Sequence, residues 1–581
     1  MKRKPFLIII VGLLVAFSSC EVTDTIPQDS ITDLTYWNNP DDIKLFANSF
    51  YTTLDGPTWG SQVTYDATSD NLVSGTQDPR LFNTLSVPAS GGDWDWTDIR
   101  NLNYCLTHYK TVVGAQEDIN QYIGEIKFFR ANEYFNKVKT FGDVPWISKD
   151  LTTTDQDFLY APRDPMKLVV DSIIGDLEFA VANLKLPAKV DIGRLHKYAA
   201  MQMLTRVCLY EGTYLKYRNI SGWEPYLTKA ATTAEKIMNE GGYEIVKGTA
   251  TYSYPNYPLF YKRQFIQADL TSNKECVLPR IFISNIVTTR QSANFGNSVS
   301  KDFIESFLCI DGKPIALSPL YLGDDSTQME MTNRDPRLRN MIDNKFLPFY
   351  ITNGALTSYP MTPVSGGTGY WLAKFRDPNP IVNEANACDD DWHIFRYAEV
   401  LLNFAEAKAE LGTITQTDLD NSINLLRARL DEPGNFTMGR LSINPPADPL
   451  ALVNGSPRYG YTLSPLLYEI RRERRIELAF ENFRWDDIVR WHAGKLVENP
   501  KTMVGISVNS DVVARYKEFY NGIDQFSGRS LMSITDWDGK TKNLLKVYSV
   551  SSRTWDDKLY LSPLPSDQLT LNPKLVQNPG W

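Results

Sequence analysis

The chain has 581 residues, 43% of them hydrophobic, with 34 glycines and 33 prolines, a composition that suits a large packed core and excludes a fibrous or disordered polypeptide. Its 60 basic and 69 acidic residues leave a formal charge of −9 and a pI near 5.3, which argues against nucleic acid as a partner. The cysteines have no CxxC spacing, and beyond Cys20 there remain Cys105, Cys208, Cys276, Cys309 and Cys388, an odd set that suits neither a disulfide scaffold nor a zinc site.

Lys2, Arg3 and Lys4 precede an apolar run over 6–17, shorter than the roughly 20 residues a spanning helix needs. The run closes on Phe17-Ser18-Ser19-Cys20, small residues leading to a cysteine, which looks like a bacterial lipoprotein processing site. Residues 1–19 are thus expected to be a lipoprotein signal peptide, Cys20 the lipidated first residue of the mature chain, and 20–39 a polar tether. No later stretch is long and apolar enough to cross a bilayer.

The spacing predicts a helix over 40–54 with Ile43, Phe46, Ala47 and Phe50 inward. Residues 64–98 lose all period and read as a long loop carrying acids and indoles, among them Asp66, Asp70, Trp94 and Trp96. A helix over 125–145 is stopped by Gly142 with Pro145 beyond it. Asp164-Pro165 opens the next, with Met166, Val170, Ile173, Leu177, Ala180 and Leu184 on one face. Residues 194–217 and 225–240 supply two more, the first burying Leu195, Ala199, Met203, Val207, Tyr210 and Tyr214. Paired amphipathic helices with small residues at their contacts look like degenerate tetratricopeptide repeats, so 40–246 is expected to be an N-terminal helical region.

Between 247 and 391 the helical period fails, and a long loop-rich insertion in a helical chain is more often functional than idle. Tyr370, Trp371 and Arg376 lie near its end. A helix is expected again over 392–411, with Ile394, Ala398, Leu401, Phe404 and Ala405 packing and Glu399, Glu406 and Glu410 outside the stripe. Leu419, Ile423, Leu426 and Leu430 predict its partner. Over 464–494, SPLLYEIRRERRIELAFENFRWDDIVRWHAG, a helix opening at Ser464-Pro465 places Glu469, Glu473, Glu477 and Glu481 in one row flanked by Arg471, Arg472, Arg474 and Arg475, beside an apolar stripe of Ile476, Phe480 and Phe483. Such a helix can be buried only if its charges are paired, and adjacent guanidiniums keep carboxylates ionised, which disfavours acid or base chemistry there.

The run RRERRIELAFENFRWDDIVRW resembles the signature of the SusD/RagB family, and LYLSPLPSDQLTLNPKLVQNPGW at the end is similar to that family's usual close. Arg396 through Ala407 fits the family string RxAExxLxxAEA, and 125–145, 306–314 and 334–338 also resemble family segments. The resemblance implies a mainly α fold, a tetratricopeptide-like solenoid carrying a loop-built binding face, with 392–581 as its C-terminal region. It further implies a lipid-anchored outer-membrane subunit at the cell surface. Such a subunit captures oligosaccharide, or peptide in some members, as a hinged lid on a SusC-like TonB-dependent transporter.

No catalytic residue is expected: HExxH, GxSxG and a Walker A loop are all missing, and only His108, His196, His393 and His492 are available for imidazole chemistry. Asp389-Asp390-Asp391 and Asp536-Trp537-Asp538-Gly539 carry oxygens suited to calcium but complete no EF-hand loop, so neither a metal nor a cofactor is expected. A saccharide site needs aromatic planes for C–H faces and polar groups for hydroxyls. Two loops offer that mixture, Asp66, Asp70, Trp94 and Trp96 in the first and Tyr370, Trp371 and Arg376 in the second. Trp96 also resembles a scaffold indole of the family, and Cys309 reads as a buried thiol.

Overall fold

The structure, a computed structural model, describes residues 36–54, 56, 65–247, 260–288, 298–342, 350–352, 355–357, 364, 367–429, 438–550 and 552–581. The expected signal segment, Cys20, most of the tether and Leu430 lie outside the described residues. Among the described residues no helix is long and apolar enough to cross a membrane.

The fold is mainly α. The helices that build the stack are α1 (Pro40–Asn48), α2 (Thr97–His108), α3 (Gln116–Phe141), α4 (Met166–Asn183), α5 (Lys197–Tyr217), α6 (Glu224–Glu240), α7 (Tyr397–Glu410), α8 (Pro465–Glu477) and α9 (Arg484–Arg490), with shorter helices among the loops. Each of α2 to α6 packs on the next in sequence, α7 returns across a long excursion to lie on α6, and α8 packs on α7. Local chemistry sets the ends. Asn39 and Asp42 form a reciprocal capping box on α1, and Gly142, at φ +73°, supplies the left-handed residue that stops α3. His196 caps α5 by accepting from the Ala199 amide through Nδ1 (3.3 Å), so Nε2 carries the proton and donates to the Val277 carbonyl at 2.8 Å. Burial holds that imidazole neutral, its pKa lowered to about 4.

The main core takes Phe128, Tyr134, Leu177, Val207, Leu401 and Trp491 from both ends of the chain, so 40–246 and 392–581 share one interior. A second core gathers Phe303, Phe307, Tyr370, Phe375, Phe480 and Leu545 beneath the loop-rich insertion. Residues 392–396, expected to open a helix, instead form strand β2 (Trp392–Arg396), paired antiparallel with β1 (Cys276–Arg280). WHIFR is aromatic and branched, and a strand partner from a distant segment outweighs the local helical pattern. The three-stranded sheet near the C-terminus comprises β3 (Val504–Ser507), β4 (Leu531–Thr535) and β5 (Thr541–Lys546), in the order β4-β5-β3.

The 464–494 helix breaks in two. α8 ends at Glu477, and Phe480 and Asn482 take positive φ (+65° and +68°) before α9 begins. Nearly all of its expected charge pairs are made with other segments. Of Glu469, Glu473, Glu477, Glu481, Arg471, Arg472, Arg474 and Arg475, only Glu469 and Arg472 meet one another, at 3.2 Å. Glu477 instead meets Arg337 (2.9 Å), Arg396 (2.8 Å) and Arg429 (2.9 Å), while Arg471 reaches Glu410 at 3.0 Å. Arg490 binds both oxygens of Glu406 at 2.6 and 2.7 Å. Glu399, Glu406 and Glu410 are accordingly buried rather than outside the packing face of α7. The guanidiniums hold Glu477 well below the usual carboxylate range and Glu406 at about 2.

Removing one partner from such a cluster unbalances its buried charge. Glu477→Gln leaves three buried guanidiniums short of a carboxylate and is expected to cost roughly 3–5 kcal/mol in urea unfolding. Glu211 behaves oppositely. This α5 carboxyl is 1% exposed, neither of its oxygens has a hydrogen-bond partner, and burial, with Asp171 nearby, raises its pKa to about 8. The folded state therefore keeps a proton that the unfolded chain releases above its ordinary pKa near 4.5, and stability contributed by this group falls as pH rises from there to about 8. In paired denaturation series at pH 5 and pH 8, Glu211→Gln should remove a slope of about 1.4 kcal/mol per pH unit that the parent shows.

Candidate functional site

The structure separates the seven residues that the two loops offer. Asp66, Asp70 and Tyr370 are interior groups and present nothing to a ligand. The Asp70 carboxylate takes Arg484 at 2.7 and 2.8 Å and Arg475 at 3.1 Å, and these cations hold it well below the carboxylate range. Asp66 accepts from Asn71 Nδ2 and from the Phe480 amide, both at 2.8 Å, and burial raises it to about 6. Tyr370 donates to Glu330 at 2.6 Å in the second core. For the two aspartates the reason is that α8 and α9 bury guanidiniums and a turn whose partners must come from elsewhere, and the first loop supplies them; Tyr370 instead satisfies a carboxylate of its own insertion.

Trp94 and Trp96 are placed differently. Positive φ at Gly91, Gly92 and Asp93 turns the chain, and Asp95 accepts from the Thr97 amide (3.0 Å) and hydroxyl (2.7 Å) to open α2. The two indoles meet edge to face at 5.2 Å, Trp94 rests edge-on against Phe141 at 4.9 Å, and Lys137 sits 5.9 Å over Trp96. Half buried on α3, they line one side of an open cleft of about 600 Å³. Phe158, Leu159 and Tyr160, 43%, 45% and 43% exposed, line it too, with the Lys149 ammonium 4.5 Å over the Phe158 ring. Gln568 and Leu571 close the end, and exposed Arg100 and Asp95 stand at the rim. The cleft thus offers flat apolar faces fixed by packing, with an amide, a guanidinium and a carboxylate around them.

Trp371 and Arg376 are partly exposed, and Trp371 bridges to Ser298, but neither lines this cleft. The two loops are therefore not joined in it. The wall at 158–160 was missed by the sequence analysis. Its signal is a bare apolar triplet, Phe-Leu-Tyr, inside a turn-rich polar segment where no period calls for it.

The candidate calcium loops have other work. Glu305, Asp324 and Asp536 bring oxygens within 4.8 Å of one another. Lys301 already takes Asp324 and Lys501 takes Glu305, each at 2.6 Å, while Lys542 lies 3.2 Å from Asp536, so the donors are neutralised by ammonium groups and do not fit a metal. Asp391 accepts from the Leu270 and Phe282 amides at 3.1 and 2.9 Å, and Asp390 is buried and pushed up by burial and neighbouring carboxylates.

Comparison with known proteins agrees with this architecture. The profile described as "SusD family" matches residues 278–581, and a second, described as "Starch-binding associating with outer membrane", matches 89–209. The chain belongs to the SusD family. It is 23% identical over 527 residues to SusD-like protein P2 of Formosa agariphila, covering 86% of this chain and 92% of that one. With SusD-like protein P38 of the same organism it shares 29% identity over 198 residues, 31% of this chain and only 37% of the relative. Among solved structures, a SusD-like protein from Bacteroides fragilis superposes with a TM-score of 0.68 at 24% identity, covering 96% of this chain and 100% of the other. A SusD-like carbohydrate binding protein of the same species gives 0.67 at 22%, over 93% and 100%.

If the cleft binds through its rings, the exposed wall should matter most cleanly. Phe158→Ala and Tyr160→Ala are each expected to weaken a bound ligand roughly tenfold in calorimetry with the thermal midpoint unchanged, whereas Trp94→Ala should lower both, because its ring also packs on Phe141.

Proposed function

We propose that the protein is a cell-surface saccharide-binding subunit, anchored through a lipidated Cys20, that captures oligosaccharide and passes it to a SusC-like TonB-dependent transporter in the outer membrane. The observation that carries this reading is the cleft between Trp94, Trp96, Phe158 and Tyr160, whose ring faces and polar rim match the C–H faces and hydroxyl edges of sugar rings. Membership of the SusD family and the carbohydrate-binding description of a structural neighbour support it. Trp371 and Arg376, partly exposed on the second loop, are assigned to a further contact with a longer chain. The subunit breaks no bond. A lid of this kind needs only to favour its ligand-bound arrangement, and the partner supplies the energy of uptake.

Affinity electrophoresis through gels carrying soluble polysaccharides tests the reading. Retardation by at least one neutral glycan, lost in a Phe158→Ala/Tyr160→Ala double variant and unaccompanied by release of reducing ends, is expected; binding of peptides with no retardation by any glycan would overturn it. In cells, Cys20→Ala should abolish incorporation of labelled palmitate and shift the protein out of the membrane fraction.

A further inference from the structure

We propose a second saccharide-binding site in a polar cleft of about 630 Å³ that shares no residue with the first. One wall is the hairpin pairing Leu452–Val453 with Ser456–Pro457, which presents the exposed Asn454 at its tip. The other is β4, whose Met532 and Ile534 alternate into the cleft before Asp536 and the turn at Trp537. Trp537 is 41% exposed, an indole that the core does not use.

The floor is ionic and fixed. Arg458 Nη2 lies 2.7 Å from both oxygens of Asp302, and Asn499 donates to the same carboxylate at 2.7 Å. Lys501 holds Glu305 at 2.6 and 2.8 Å and also meets Asp536, while Arg472 pairs with Asp448 and donates to the Ser306 carbonyl at 3.1 Å. Every cation there already has a carboxylate, so a charged ligand would have to displace a buried pair, at a cost of several kcal/mol. A neutral polyhydroxylated ligand displaces none. It can add hydrogen bonds to lone pairs the carboxylates still have, since each offers about four acceptor sites.

One hydroxyl stands nearly unspent. Tyr468, 8% exposed, lines the cleft, and among the described residues its hydrogen bonds are two long ones, from Arg458 at 3.5 Å and to the Leu450 carbonyl at 3.4 Å. A buried hydroxyl so weakly engaged is unusual, and a ligand hydroxyl would satisfy it. The ring plane of Trp537, the amide of Asn454 and the Tyr468 hydroxyl then form a recognition set for a sugar ring, held by an ionic floor that does not move.

The inference shares with the proposed function the class of ligand but none of the side chains, and its test separates the two. The full mature chain is labelled with 5-fluorotryptophan, and the ¹⁹F signals of Trp537, Trp94 and Trp96 are assigned from single Trp→Phe variants. Cellohexaose, xylohexaose, mannohexaose and maltoheptaose are then titrated in turn. The expected result is a saturable shift of the Trp537 signal that persists in Tyr160→Ala and whose affinity falls roughly tenfold in Asn454→Ala. A shift at Trp94 and Trp96 alone overturns the second site and leaves the first. A shift at Trp537 alone sustains the second site and overturns the first, and no shift with any of the four overturns both.

Discussion

The fold depends on burying guanidiniums only where carboxylates from distant segments meet them. α8 alone carries Arg471, Arg472, Arg474 and Arg475 into the interior, each 6% exposed or less. Taking such ions out of water costs several kcal/mol apiece, recovered only through close, multiply bonded geometry. Their partners come from far apart in the chain: Asp70 from the first loop, Asp302 from the insertion, Glu410 from α7, Asp448 from the segment before α8 and Asp487 from α9. Each segment that fails to arrive removes a carboxylate from a buried guanidinium. The lattice therefore couples the loops to the helical stack, as packing of apolar faces alone would not.

That coupling explains why regions distinct in sequence are one body in space. The insertion contributes Glu275 and Arg337, which meet Arg429 and Glu477 from the C-terminal region, so the helical stack and the irregular region share a charged seam as well as an apolar core. Close backbone approaches reinforce it. A Cβ on Gly505 of β3 would fall 1.9 Å from the Thr368 carbonyl, so the sheet can meet the insertion only through glycine at that point.

Sequence legibility followed the range of the deciding interactions. Helices α3 to α5 were readable because the signals that mark them are local: Gly142 beyond α3, Pro165 before the first turn of α4, and six-position apolar faces on α4 and α5. The family motif also announced that paired charges would be buried. What it could not announce was which carboxylate meets which cation, and so Asp66 and Asp70, acids in an aperiodic loop, read as solvent-facing ligands although they are the keystones of α8 and α9. The strand at 392–396 and the break after Glu477 have the same origin: one depends on pairing with 276–280, the other on Phe480 adopting φ +65° to bring its amide to Asp66. The aromatic cleft was half legible, since Trp94 and Trp96 could be named while the 158–160 wall, brought near by tertiary packing, could not.

The same rigidity bears on how either cleft could bind a ligand. Weak, open ligands such as short sugar chains cannot repay the ordering of mobile side chains, so affinity rests on surfaces already in place. In the first cleft the indoles are fixed by rings of the core, Trp94 on Phe141 and Trp96 on Tyr134, and only their outward faces remain to be covered. Phe158 lines the cleft from the four-residue helix Gln156–Leu159 and Tyr160 from the residue that ends it; the helix opens after Asp155, which accepts from the Thr152 amide and hydroxyl, both at 2.8 Å. In the polar cleft the order comes instead from ion pairs whose breakage would cost more than any sugar contact returns. A scaffold that must neutralise its own buried charges thus holds the floor of one cleft and the indoles of the other in place, which is the order that binding of a weak ligand would otherwise have to supply.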